Sequence, residues 1–345
     1  MAKAIATGNA VDVDYNRMIS GSPGDDASNK GSAFVYYKTG TNTWNYSQKL
    51  VAPDRENYDR FGSDVALSSN FAIVGAPDED TDGTDAGAAY IFQNVGGTWS
   101  HMATLRPGAA NGADAGDKFG TSVAISSKYA IIGAPWDEAA GYIKSGSVYV
   151  YERISGVWTL VQKLFAANPA AYDNYGYSVD IEGFGYRMVV GAPGYLPSLG
   201  GVGPGKVEVL RRTGSPFALE QEINAATGLS YFDRFGHAVY TDGGYTLIGS
   251  PGDDPGGTNA GGSGYIFRRT GTTWTEQAYL SSPTPDEGGN FGWAVAKSNC
   301  GAMFGAIGDD ENVANSGAVC VFEENNGVWS FSEKLKQNGT GISGG

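Results

Sequence analysis

An all-β chain of six four-stranded antiparallel blades, a six-bladed β-propeller, is predicted by three observations. The composition holds 53 glycines in 345 residues alongside 41% hydrophobic residues, which suits many short strands joined by tight turns. One phrase returns six times at nearly constant spacing. Within each return, period-2 alternation is bounded by Gly and Asn turns, and no stretch holds a convincing helical period.

The phrase is FGSDVALSSNFAIVGAP at residues 61–77. It recurs as FGTSVAISSKYAIIGAP (119–135), YGYSVDIEGFGYRMVVGAP (175–193), FGHAVYTDGGYTLIGSP (235–251) and FGWAVAKSNCGAMFGAI (291–307). A worn copy, TGNAVDVDYNRMISGSP, stands at 7–23. The leading glycines Gly8, Gly62, Gly120, Gly176, Gly236 and Gly292 are separated by 54, 58, 56, 60 and 56 residues. Repeats of this length with aromatic punctuation are the mark of propeller blades, and one blade cannot bury both its faces, so neighbours must stack. The repeats run approximately over 7–56, 57–114, 115–170, 171–230, 231–286 and 287–337, in one domain over 1–345. The tail 338–345 or the first residues are expected to complete the ring as an extra edge strand.

Each repeat justifies its four strands in order. The first half of the phrase is the first strand, and the apolar run before GAP is the second. Gly75 and its counterparts Gly21, Gly133, Gly191, Gly249 and Gly305 end that second strand where a Cβ would obstruct the adjoining blade or the turn. Pro23, Pro77, Pro135, Pro193 and Pro251 follow and stop the ladder, having no N–H to donate. A loop then leads to the third strand, as in GSAFVYY (31–37) and GSVYVYE (146–152). A short Gly-containing turn leads to the fourth strand, opened by Trp44, Trp99, Trp158, Phe217, Trp274 or Trp329. These rings are expected to cap the core between blades.

The formal net charge of −14 repels phosphate backbones, and no Lys/Arg cluster offsets it, so nucleic acid is excluded as a partner and anionic membranes are disfavoured. No run approaches membrane-spanning length, and MAKAIATGNAVDVD lacks the apolar core of a secretory signal. Cys300 and Cys320 read as small buried residues, with a disulfide left open.

FG-x-S-V-A followed by V-G-A-P resembles the FG-GAP repeat of integrin α-subunit head propellers and of bacterial secreted and surface proteins. The resemblance spans about residues 7–335. It departs in the first repeat, which lacks an aromatic before Gly8, and in the sixth, which has GAI for GAP. It implies a propeller, calcium held in loops and a face used for adhesion. Integrin-type calcium loops join the first and second strands. Here those connections are SSN (68–70), SSK (126–128) and DGG (242–244), with too few carboxylates for a cation.

The acids instead follow GAP, between the second and third strands: Asp25 and Asp26; Asp78, Glu79, Asp80, Asp82 and Asp85; Asp137 and Glu138; Asp253 and Asp254; Asp309, Asp310 and Glu311. The connections between repeats are acidic as well, while the turns between third and fourth strands carry Lys38, Arg153, Arg211, Arg212, Arg268 and Arg269. Strand topology puts the two acidic loop sets on one face, so an electrically two-faced disc is expected. Asp78-x-Asp80-x-Asp82-Gly83 spaces three carboxylates as a calcium loop does, with Asp85 a further ligand, although Ala89 stands where a bidentate glutamate is needed. Calcium is therefore a candidate cofactor here and at the simpler Asp25–Asp26, Asp253–Asp254 and Asp309–Asp310 pairs, with a solvated turn as the other reading at each. Asp59, Asp117, Asp173 and Asp233, two residues before each aromatic–glycine pair, are expected to accept hydrogen bonds from turn amides.

Two histidines, His101 and His237, do not repeat, and no HExxH, G-x-S-x-G, P-loop or zinc-spaced cysteines occur. The loop carboxylates are expected to be wet, unlike a glycosidase pair. The expected function is a non-enzymatic binding or adhesion module at an extracellular, cell or virion surface, contacting a glycan or protein. Two alternatives stand beside it: a structural or host-attachment component of a larger assembly, contacting neighbouring subunits, and a carbohydrate-active enzyme using loop carboxylates. Trp136, with Asp137 and Glu138, is the candidate contact for a small sugar, while Trp293 is expected in the core.

Overall fold

The computed structural model describes residues 9–26, 28–41, 43–108, 112, 114–194, 203–214, 216–224, 230–298, 301–310 and 316–336. The chain is a six-bladed β-propeller, each blade a four-stranded antiparallel sheet in sequence order. The first blade holds β1 (Val11–Asp14), β2 (Arg17–Ser22), β3 (Ser32–Gly40) and β4 (Thr43–Leu50). The second holds β5 (Val65–Ser68), β6 (Phe71–Ala76), β7 (Ala88–Val95) and β8 (Thr98–Leu105). The third holds β9 (Ser122–Ile125), β10 (Tyr129–Ala134), β11 (Ser147–Ile154) and β12 (Val157–Leu164). The fourth holds β13 (Ser178–Ile181), β14 (Arg187–Ala192), β15 (Lys206–Arg212) and β16 (Phe217–Ile223). The fifth holds β17 (Ala238–Thr241), β18 (Tyr245–Ser250), β19 (Ser263–Thr270) and β20 (Thr273–Ser281). The sixth holds β21 (Phe291–Ser298), β22 (Gly301–Ala306), β23 (Ala318–Asn325) and β24 (Val328–Lys336).

Two compact units divide the chain: residues 1–188 with 211–218, and residues 189–210 with 219–345. In the first, β1 lies beside β5, β5 beside β9 and β9 beside β13, so the short first strands of successive blades converge on an inner edge. In the second, β17 lies beside β21 in the same way.

The repeated glycines mark where one blade's backbone meets the next. A Cβ on Gly75 would stand 2.0 Å from the Gly120 carbonyl oxygen, and one on Gly21 would stand 2.1 Å from that of Gly62. The Gly62 amide also donates to the Gly75 oxygen at 2.9 Å within the second blade. Between the first two blades, Ile19, Ala33, Val35 and Leu50 pack against Val65, Leu67, Ala72, Val74, Tyr90, Phe92 and Trp99. A bulge recurs in the outer hairpin of five blades, at Val35/Tyr36, Ile91/Phe92, Val150/Tyr151, Ile266/Phe267 and Val321/Phe322. Beside it the fourth strand presents a glutamine that grips the next blade. Gln48 accepts from the Trp99 amide and donates to its carbonyl at 2.9 and 2.7 Å. Gln162 does the same with Phe217 at 2.9 Å for both bonds.

Cys320 is buried and carries a free thiol, while Cys300 lies outside the described residues, as do residues 1–8 and the tail 338–345 expected to complete the ring.

Candidate active site on the inner strands

The acidic loops are not uniformly wet. In five of the six repeats an acid stands four residues after the GAP-type glycine and is drawn inward, where the end of the fourth strand meets it. Asp25 binds Lys49 at 2.5 Å, Glu79 binds Arg106 at 2.7 Å and Asp137 binds Lys163 at 2.6 Å. Asp309 binds Lys334, and Asp253 accepts from the Tyr279 hydroxyl at 3.2 Å. The lysine or arginine arrives because the fourth strand runs back toward this loop, and a buried carboxylate persists only with such a partner. Burial alone would raise Asp25, but Lys49 and the Ser32 hydroxyl outweigh it and hold the carboxyl below its usual range. Lys49, Lys163 and Lys334 stand in the fourth-strand endings QKL, QKL and EKL, and Arg106 directly follows the ending ATL, yet their role follows only from the fold.

The remaining loop acids are partnered locally. Asp78 lies 2.7 Å from Lys118 and 3.4 Å from Arg60, and Asp85 lies 2.9 Å from the same Lys118. Asp80 accepts from the Asp85 amide at 2.7 Å, and Asp82 is exposed. Asp26 accepts from the Ser28 amide and pairs with Arg55 at 2.8 Å. Asp254 accepts from the Ala260 amide at 2.6 Å, and the Asp310 amide donates to Asp286 at 3.3 Å. Among the described residues no group of three or more His, Cys, Asp or Glu is arranged to hold a metal ion. As placed, these carboxylates do not fit calcium: the ion would have to displace Lys118 from both Asp78 and Asp85.

Asp59, Asp117, Asp173 and Asp233 each accept from the amide three residues upstream, of Glu56, Asp114, Ala170 and Ser230, at 2.6, 2.8, 2.8 and 2.5 Å. Burial raises Asp59, Asp117 and Asp233 to about 6 each, helped by the neighbouring loop acid of the same junction, Glu79, Asp137 or Asp253.

The inner edge of the first unit carries a second set of carboxylates. Asp64 precedes β5 and bridges two blades, accepting from its neighbour Val65 at 2.9 Å and from Val123 of β9 at 2.7 Å. Asp12 on β1 accepts from Val13 and from Leu67 of β5 at 2.7 and 2.6 Å, and Asp14 accepts from Ser69 at 2.7 Å. Asp64 shows only partial solvent exposure, and protein atoms surround it densely. Burial therefore dominates: against the two amide bonds, and with the Asp12 charge added, it pushes the carboxyl up to about 7. Asp12 is raised as well, by burial first and by Asp14. A carboxyl poised near neutrality exchanges a proton readily, as a general acid or base must. The sequence reading passed over these residues. The signal for Asp64 was a break in the repeat, since it stands where later repeats have Ser122, Ser178, Ala238 and Ala294; the Asp12 position is occupied by Ala66, Ala124 and Ala296 in three repeats but by Asp180 and Tyr240 in the other two.

Trp136 is exposed, its ring 3.9 Å from the Lys144 ammonium and 5.4 Å from that of Lys118. The adjacent Asp137 is buried, whereas Glu138 is exposed and opens a 3-10 turn over Ala139–Gly141. Trp293 is half-buried with its ring 4.5 Å from that of His237, whose Nδ1 lies 3.3 Å from the Trp293 carbonyl oxygen. Burial and the Arg234 charge lower His237 to about 4. No helix of the described residues is long and apolar enough to cross a membrane.

A family model described as FG-GAP repeat matches residues 44–92, 99–151, 158–203 and 274–322. A search of curated proteins returned no match. Among solved structures, a candidate 6-phosphogluconolactonase from Bacteroides uniformis is similar at 12% identity and a TM-score of 0.62, over 97% of this chain and 87% of that one. The periplasmic gluconolactonase of Pseudomonas aeruginosa is similar at 12% identity and a TM-score of 0.61, over 95% and 85%. These likenesses correct the expectation of a non-enzymatic adhesion module or assembly component. Propellers of this architecture bear the names of enzymes, so neither the fold nor the lack of a local nucleophile motif argues against catalysis. The expectation that the loop carboxylates would be wet fails at Asp25, Glu79, Asp137 and Asp309, all of which are buried.

Proposed function

From a chain that belongs to the FG-GAP repeat family and folds as a propeller, we propose a hydrolase that opens a carbohydrate-derived lactone, with Asp64 as its proton acceptor. The carrying observation is the Asp64 carboxyl, enclosed at the inner edge and pushed up to about 7. Lactone opening suits such a group. The ring ester is already activated, so water can attack the carbonyl directly and no covalent nucleophile is required. Asp64 takes a proton from that water as the C–O bond forms. When the tetrahedral intermediate collapses, the ring C–O bond breaks, and the proton passes to the departing alkoxide, giving the open hydroxy acid. The names of the two similar propellers support the choice of substrate class. A place outside the cytoplasm accords with repeats of this family, which are typically extracellular or periplasmic.

The test is hydrolysis of glucono-δ-lactone and its 6-phosphate, corrected for spontaneous opening. Wild type is expected to exceed the blank, with kcat/KM rising as pH passes through about 7, where Asp64 loses its proton. Asp64→Asn should lose about 100-fold or more, the usual contribution of a general base. Rates equal to the blank, or an unimpaired Asp64→Asn, would sink the proposal.

A further inference from the structure

The loop between the second and third strands of the third blade differs in chemistry from its counterparts. Trp136 opens it where four other repeats have Gly24, Gly194, Gly252 and Gly308 and the second has Asp78. Its side chain stays 41% exposed, and further along the same loop Tyr142 and Ile143 are 47% and 50% exposed. The half-buried Tyr172 comes up beside them from the loop that precedes the fourth blade, its amide donating to the Ile143 carbonyl at 2.8 Å. All of these residues belong to the first unit.

Backbone bonds hold the patch in place. The Gly141 and Tyr142 amides donate to the Glu138 and Ala139 carbonyls at 3.2 and 3.1 Å, and the Ser145 hydroxyl donates to the Ala139 carbonyl at 2.7 Å. The Asn174 amide ties the second loop to the Lys144 carbonyl at 3.1 Å. Tyr172 itself takes a φ of +68°, at a position held by Gly116 and Gly288 in two repeats and by Tyr58 and Phe232 in two others. That conformation is costly for a bulky side chain, and a glycine would avoid the cost.

One cation completes the patch. The Lys144 ammonium lies 3.9 Å from the centre of the Trp136 ring and has no ion pair among the described residues. Lys118, 5.4 Å from the same ring, is already held by Asp78 and Asp85. With Glu138 exposed in the same loop and a net charge of −14, the place suits a ligand with one negative charge rather than several.

We propose that this patch binds a hexuronic acid, the C–H face of the pyranose lying against the exposed part of the Trp136 indole and the carboxylate on the Lys144 ammonium. A pyranose combines an apolar face with a single carboxylate in a footprint that matches one indole, and a few convergent aromatic groups with one charged group are the usual lining of a small-molecule site. A protein partner covers about 800 Å² on each side, more than these four side chains expose. The site does not depend on the chemistry of Asp64.

The test is a titration of the isotope-labelled full chain with sodium glucuronate at constant ionic strength, following the indole N–H signals of the seven tryptophans. The Trp136 signal, identified by its absence from Trp136→Phe, is expected to move and to saturate at concentrations on the order of millimolar, a weak small-ligand affinity. Lys144→Gln should weaken the binding by up to about five-fold, the worth of one exposed ion pair. Glucose should bind wild type no better than glucuronate binds Lys144→Gln, and sodium acetate should leave the signal in place. A Trp136 signal that glucuronate does not move overturns the site. Equal affinity for glucose, or an unweakened Lys144→Gln, overturns the role of the carboxylate, and an equal response to acetate overturns the contact with the sugar ring. Hydrolysis plays no part in this titration, so its outcome is independent of whether the protein opens lactones.

Discussion

The glycines at the blade junctions are steric requirements, and their substitution separates space from backbone conformation. Gly75 meets the Gly120 carbonyl oxygen at a distance no Cβ tolerates, and that neighbour is backbone that cannot swing away. Gly75→Ala is therefore expected to cost about 3 kcal/mol, the upper end for overpacking, in denaturant unfolding. Gly183→Ala is the control: no atom lies within 4 Å of its Cβ position and its φ is not positive, so the change should stay within about 0.5 kcal/mol. Asp64 is distinguished at the same scale by neighbours rather than by identity. Its two amide bonds favour the carboxylate, but enclosure and Asp12 favour the acid more.

Within a blade, the recurrent unit is the fourth strand tied to the loop after GAP. Asp137 shows the design: Oδ2 receives the Ser147 hydroxyl, the Tyr149 hydroxyl and the Lys163 ammonium at 2.6, 3.2 and 2.6 Å. Lys163→Met keeps an unbranched side chain but removes the ammonium, which lies 5.0 and 5.6 Å from the Tyr149 and Phe165 ring centres, and leaves the buried carboxylate without its ion pair. The expected cost is about 3–5 kcal/mol, measured by urea unfolding. Adding Asp137→Leu should restore most of it, because the penalty lies in the orphaned charge rather than in the lost contact. A double variant as unstable as Lys163→Met alone would contradict this account.

Across the whole molecule, these carboxyls set the pH dependence of stability. Asp59, Asp117 and Asp233 sit at about 6 and Asp64 at about 7, all above the ordinary 3.8. A group whose folded pKa is raised binds its proton more tightly when folded. Its stabilisation is full below the unfolded value and is lost as pH rises through the folded one. His237, lowered to about 4, and His101, also lowered by burial, act in the opposite sense below about 6.5, but they are two groups against five, since Asp12 is raised as well. Stability is thus expected to fall from about pH 4 to pH 7, and the net charge of −14 adds self-repulsion in the same direction. Urea midpoints across that range provide the measurement. Asp64→Asn should flatten the upper part of the decline; a midpoint that rises with pH instead would refute the assignment.

The amino-acid sequence by itself determined the number of blades, the order of their strands and the positions where backbones meet. Those features are encoded over short range: a period-2 pattern selects the strand, a proline ends it, and a glycine recurs wherever a Cβ would strike the next blade. The candidate site was legible only in outline, as Asp64 interrupting a position that is otherwise serine or alanine. Tertiary structure decided which acids are buried, which lysine or arginine meets each one, and which carboxyl holds its proton near neutrality. It also decided that Val11 and Leu335 are exposed while residues equivalent to them are buried. The physical reason is the same in each case. Desolvation, ion pairing and apolar burial depend on atoms that arrive from another strand or another blade, roughly 25 to 60 residues away in the repeats described above.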